Sequence, residues 1–117
     1  MTELELHWLA GLLEGEGCFT VYKPEKNNYP VCAIQIAMTD KDVMDRVHKL
    51  IGGHYSPYQA TCKGKPTKTA YKIHLTNRRE IAKLGAKLLP LMGERRAEAL
   101  EKVIWTAEND HVKARWQ

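Results

Sequence analysis

Leu9-Ala10-Gly11-Leu12-Leu13-Glu14-Gly15-Glu16-Gly17 decides how this chain is read. It has the form of a helix end that is rich in small residues and closes on two acids. Gly11 and Gly15, four residues apart, share one helix face. With Ala10 they let a second helix backbone approach closely. Glu14 and Glu16 sit where the helix runs into a strand. The C-terminal end of a helix dipole is negative, so carboxylates are disfavoured there. A divalent cation is the obvious compensating charge.

Working outward, residues 3–15 read as helix, with Thr2 as N-cap and Glu5 closing a capping box. Leu6, Trp8, Leu9, Leu12 and Leu13 cover most of its circumference, so the helix is expected to bury more than one side, against its own core and against a partner. Gly17 ends it. Phe19 and Val21 alternate with Cys18, Thr20 and Tyr22 as in a strand. Lys26 to Pro30 is a turn, and Val31 to Met38 a second strand, with Cys32, Ile34 and Ile36 opposite Ala33 and Gln35. Thr39-Asp40 caps a helix over 41–51, stopped by Gly52-Gly53. A second hairpin follows over about 54–62 and 68–76, with Tyr71, Ile73 and Leu75 opposite Ala70, Lys72 and His74. Asn77 caps a helix over 78–89 that stops near Pro90. A last helix spans 94–108, and 111–117 forms a basic, frayed tail.

At 117 residues with a formal charge of +4 and a pI near 9.0, the chain is expected to be a single domain, 1–117, only mildly basic. The distribution says more. Residues 1–22 hold four acids and no Lys or Arg, whereas 63–83 hold seven bases against Glu80 alone. A metal-type site beside a polyanion-binding surface fits that split; a solvated charged face is the plainer alternative. Cys18, Cys32 and Cys62 form no C-x-x-C pair, which argues against zinc and for a reducing compartment. The acidic start is unlike a secretory signal, and no apolar run is long enough to span a membrane. The expectation is an intracellular protein, in a bacterial or phage-host cytoplasm or an organelle, and not a secreted one. No P-loop, G-x-G-x-x-G or H-E-x-x-H spacing occurs. Ser56 is the only serine and has no nucleophile elbow around it.

The Leu9–Gly17 segment, followed at once by a strand, and the order α-ββ-α-ββ-α-α resemble the LAGLIDADG homing endonucleases. The resemblance covers nearly the whole chain. It implies an α+β fold, αββαββα, with a four-stranded antiparallel saddle sheet and helices on one face. One motif per chain implies a homodimer through the motif helix, with Trp8, Gly11, Leu12 and Gly15 at the interface. It also implies Mg²⁺ (or Mn²⁺ or Ca²⁺) held by Glu16 and the Gly15 carbonyl. Glu14 matches an acid that more often orients the helix end. Gln35 and Arg95 join Glu16 as catalytic candidates; Arg95 or Arg96 stands where family members often carry Lys. Met38 stands where many carry a polar, water-ordering residue, a role left vacant or taken by Thr39.

The implied partner is double-stranded DNA. Thr20, Tyr22, Gln35, Gln59, Thr61, Lys72 and His74 would face the major groove, and Lys23, Lys26, Lys63, Lys65 and Lys68 would meet phosphates. The activity implied is site-specific double-strand cleavage by metal-dependent phosphodiester hydrolysis at a long pseudo-palindromic target. The rival reading is a non-cleaving DNA-binding regulator or a group I intron RNA maturase on the same fold.

Overall fold

In the computed structural model, residues 1–26 and 29–109 are described. The middle of the expected turn at 26–30 and the expected tail at 111–117 lie outside them. The elements run α1 (Glu3–Glu16), β1 (Gly17–Tyr22), β2 (Val31–Met38), α2 (Lys41–Ile51), β3 (His54–Cys62), β4 (Lys65–Leu75), α3 (Arg78–Leu88), a 3-10 turn (Leu89–Leu91) and α4 (Glu94–Glu108). This is the expected α-ββ-α-ββ-α-α order, the last helix included.

Helix starts follow local chemistry. Thr2 and Glu5 form the capping box in both directions. Asn77 caps α3 by accepting from the Glu80 N–H. Asp40 begins α2 without a side-chain cap; its carbonyl accepts from the Met44 N–H. Gly52 and Gly53 stop α2 at φ of 72° and 92°, where a side chain would be strained. β4 begins three residues earlier than expected, because the tip of the second hairpin is only Lys63-Gly64. Both residues have positive φ, as a two-residue hairpin turn of matching twist requires.

The four strands form one antiparallel sheet in the order β1-β2-β4-β3. Phe19, Cys32, Ile34, Ile36, Ile73 and Leu75 point to one face. There they pack with Leu9, Leu13, Met44, Val47, Ile81, Leu88, Leu100 and Val103 from the helices. Ala33 is fully buried yet stands outside this cluster, on the opposite, concave face, opposite Thr20. α4 lies on β1 and β2, α2 on β4, and α3 on α4.

Arginines tie the helices to the sheet. Arg78 donates to the carbonyls of Thr106 and Pro30, both at 2.6 Å, joining the end of α4 to the start of β2. Arg96 donates to the carbonyls of Glu14 and Gly17. The last turn of α1 has no basic residue of its own. Arg96, reaching over from α4, supplies the positive charge that its dipole favours.

Candidate nucleic-acid-facing cleft

The two acids that close α1 have separate fates. Glu14 turns back and accepts from the Gly93 N–H at 2.7 Å, where α4 begins. A carboxylate at a helix N-terminus is stabilising, so Glu14 serves as an interhelix tie. Glu16 is exposed and makes no hydrogen bond or ion pair among the described residues. It stands at the edge of a cleft of about 480 Å³ on the concave face, with Cys18, Gln35, Ala37, Ser56, Tyr58 and Lys72.

The register explains this grouping. Glu16 leads into β1 at Gly17, which pairs with Ile36. The next residue of β2, Ala37, pairs with Lys72, and Lys72 pairs with Ser56. A neighbouring row runs Cys18, Gln35, His74, His54. Cross-strand partners share a face, so these two rows look the same way. Ala37 is the smallest side chain in its row, and the cleft opens over it.

The predicted site residues divide accordingly. Glu16, Gln35 and Lys72 meet in the cleft. Thr20, Tyr22 and His74 lie on the same concave face by register. Lys23, Lys26, Lys63, Lys65 and Lys68 are exposed in and beside the hairpin ends. Arg95 is exposed on the first turn of α4, outside the residues lining the cleft. Met38 packs against the core. It shares the parity of Ile34 and Ile36, so Ala37 is the residue beside Glu16 that faces the cleft.

Gln59 requires a correction. It pairs with Thr69, two steps from Pro57–Tyr71 and four from Tyr55–Ile73. That is the helix-side parity, opposite to Lys72. Gln59 is exposed there, and its side chain accepts from the Thr69 hydroxyl at 3.4 Å. Thr61 belongs to β3, but its side chain is outside the description. The described concave-face residues of β3 are instead His54, Ser56 and Tyr58, none of them in the sequence expectation. Pairing Tyr55 with Tyr71 and Ile73 as one apolar face would have found them.

The chemistry of the concave face varies along it. Burial, then the charge of Lys72 and the proximity of His54, hold the His74 imidazole below its ordinary pKa. Its Nε2 is buried without a partner among the described residues. On the helix side, the Tyr55 hydroxyl donates to Asp45 at 2.6 Å, and Lys41 reaches the same carboxylate at 2.9 Å. Burial, then this bond, raise the Tyr55 pKa to about 12. The bond from Tyr55, then Lys41, lowers that of Asp45.

Among the described residues, no three His, Cys, Asp or Glu side chains gather to hold a metal ion. A cation on Glu16 would therefore complete its shell from backbone, a second copy or a bound anion. The donors at hand, a carboxylate and the adjacent Gly15 carbonyl, are hard oxygens and suit Mg²⁺ or Ca²⁺ rather than a soft metal. No described helix is long and apolar enough to cross a membrane.

The outer face of α1 presents Leu4, His7, Gly11 and Gly15, all exposed, with Leu4 at 84%. Trp8 and Leu12 flank this stripe half-buried, and Arg46 of α2 lies 3.9 Å over the Trp8 ring.

No family model matches the chain. Its fold is that of solved LAGLIDADG homing endonucleases. The homing endonuclease I-CvuI, solved in complex with its target, superposes with a TM-score of 0.71 at 14% identity, covering 92% of this chain and 68% of that one. The LAGLIDADG homing endonuclease I-GzeII, bound to a DNA target, gives 0.72 at 17% identity, covering 100% of this chain and 40% of that one. The group I intron-encoded homing endonuclease I-CeuI, complexed with DNA, gives 0.66 at 14%, covering 99% and 59%. This chain thus spans from two-fifths to about two-thirds of the length of these proteins.

Proposed function

We propose that the chain is a site-specific double-strand DNA endonuclease of the homing type, dependent on a divalent metal and acting as a two-fold dimer. One observation carries the reading. Of the two acids that end α1, Glu14 is consumed in holding the fold, whereas Glu16 has no partner among the described residues and stands at the rim of a strand-built concave face. A lone carboxylate beside a polyanion is repelled by it, so its placement there makes sense with a cation between the two. The fold, shared with endonucleases solved on DNA, supports the same reading.

Glu16 and the Gly15 carbonyl would hold the metal, which when bound supplies Lewis acidity and a more acidic water. Gln35 presents an amide suited to a base edge or to orienting water. The lysines of the second hairpin neutralise backbone phosphates and fix the register on the duplex. The exposed stripe of small residues through Gly11 and Gly15 would let a second copy approach closely across a two-fold axis, and such pairing would bring two Glu16 residues to one duplex. Such a protein acts where its DNA target lies, inside a cell.

The test is cleavage of a duplex enriched from a random-sequence library by the purified protein. In Mg²⁺ the wild type should cut both strands, and Glu16→Gln should bind the duplex without cutting it. A wild type that binds but never nicks, in Mg²⁺ or Mn²⁺, sinks the nuclease reading in favour of a regulator. Preference for a structured RNA over every duplex would favour the maturase.

A further inference from the structure

The cleft contains a group whose place implies more than base reading. Lys72 is exposed on β4 and is the one cation among the described residues lining the cleft. The row Gly17–Ile36 and its successor Ala37–Lys72 set Glu16 and Lys72 on either side of Ala37. Neighbouring strands lie about 4.8 Å apart, so the two backbones are roughly 10 Å from each other with only a methyl group between. That gap is a notch with a carboxylate on one wall and an ammonium on the other. A phosphate group fits between them: its charge is repelled by Glu16 unless a cation intervenes, and drawn to Lys72 directly. Arg95, the cation that the sequence suggested for this task, does not line the notch.

We infer that Lys72 is a catalytic residue that grips the phosphate to be cut, with Ala37 keeping the notch open for it. The inference rests on the nuclease reading above. In the reaction the water oxygen bonds to phosphorus as the bond to the leaving oxygen breaks. The water gives up its proton to solvent, and the leaving oxygen takes one up. Lys72 forms and breaks no covalent bond. It passes on no proton and donates a hydrogen bond to a non-bridging oxygen, where negative charge grows in the transition state. Its hydrogen bond therefore strengthens during the reaction, unlike a contact that only reads a base.

Binding without divalent metal and single-turnover cleavage in Mg²⁺ test this, using the full chain and the enriched duplex. Lys72→Met should slow cleavage by about 100-fold or more while weakening binding by less than about tenfold. Lys72→Arg should recover most of the rate. Ala37→Leu, which fills the notch, should also slow cleavage with little change in binding. A neutral methylphosphonate at the cleaved linkage should erase the binding difference between wild type and Lys72→Met. Equal loss of binding and rate, with relaxed preference at one base pair, would show Lys72 to be a base reader and overturn the inference alone. So would a Lys72→Met variant that cuts at the wild-type rate. A wild type that binds the duplex and never cuts it overturns the nuclease reading and this assignment with it.

Discussion

The helix glycines of α3 and of α1 sit in opposite circumstances. A methyl group added at Gly85, on α3, would stand 2.6 Å from the Ile104 side chain of α4. The same addition at Gly11 or Gly15, on α1, meets nothing within 4 Å. The seam between α3 and α4 is filled from within the chain, and its glycine is there because no larger residue fits. The outer face of α1 has the same small residues beside exposed Leu4, yet none of the described residues packs there. Glycine lowers helix stability, so two of them at open positions gain nothing from the monomer. The contrast is what one expects if a second copy fills the α1 face as α4 fills the α3 face.

Breaking the filled seam should have the largest effect. Gly85→Val is expected to cost about 3 kcal/mol by overpacking, lowering the melting temperature by on the order of 15 °C. A thermal unfolding curve decides it; an unchanged midpoint would mean that α3 and α4 slide apart freely. Gly11→Leu should do the reverse. Monomer stability should hold or rise by up to about 1 kcal/mol from helix propensity. The dimer dissociation constant, followed by sedimentation, should rise by about 100-fold, about 2.7 kcal/mol. A wild type sedimenting as a monomer at high concentration removes the dimer and with it this use of the comparison.

A smaller effect sharpens the contrast between the acids of α1. Glu14→Gln keeps the shape but weakens the charge-assisted bond to the Gly93 N–H. About 1 kcal/mol of stability should go, read from urea unfolding, whereas Glu16→Gln should leave the unfolding midpoint in place. The smallest effect belongs to His74. Its folded pKa lies below the ordinary value, so the unfolded chain takes up its proton first as pH falls. Its contribution is complete above about pH 6.5 and is lost below it. Melting temperatures across that range should decline toward acid, and His74→Gln should flatten the slope.

Much of the fold was legible because local and long-range preferences agree. Thr2 with Glu5, Asn77 and Gly52-Gly53 each mark a helix boundary through bonds or dihedrals that their chemistry dictates. The alternation in β1 and β2 also gave the faces correctly, so Gln35, Thr20 and Tyr22 could be placed. β3 misled. Tyr58 and Ser56 look like interchangeable half-polar strand residues, and nothing local says which of Tyr55 and Tyr58 is inward. That choice is made by pairing with β4, where Ile73 fixes the inward parity of Tyr55. The ties made by Arg78 and Arg96 were equally invisible. Each links carbonyls dozens of residues away, and a carbonyl leaves no mark in a sequence. The same holds for the notch over Ala37, which exists only because the end of α1, β2 and β4 bring Glu16, Ala37 and Lys72 together.

The pairing of β3 with β4 slips by one residue between Gln59 and Thr61. The slip lies beyond Tyr58 and Ala70, on the far side of both rows that build the cleft. The outer end of this hairpin is therefore out of phase with its base. A residue gained or lost near Lys63-Gly64 would re-aim the lysines of the tip, yet Lys72 would stay opposite Ser56. On the nuclease reading proposed above, divergence of target preference has a place to act that would leave the cutting chemistry alone, and variation in length within such a lineage should concentrate between residues 60 and 68.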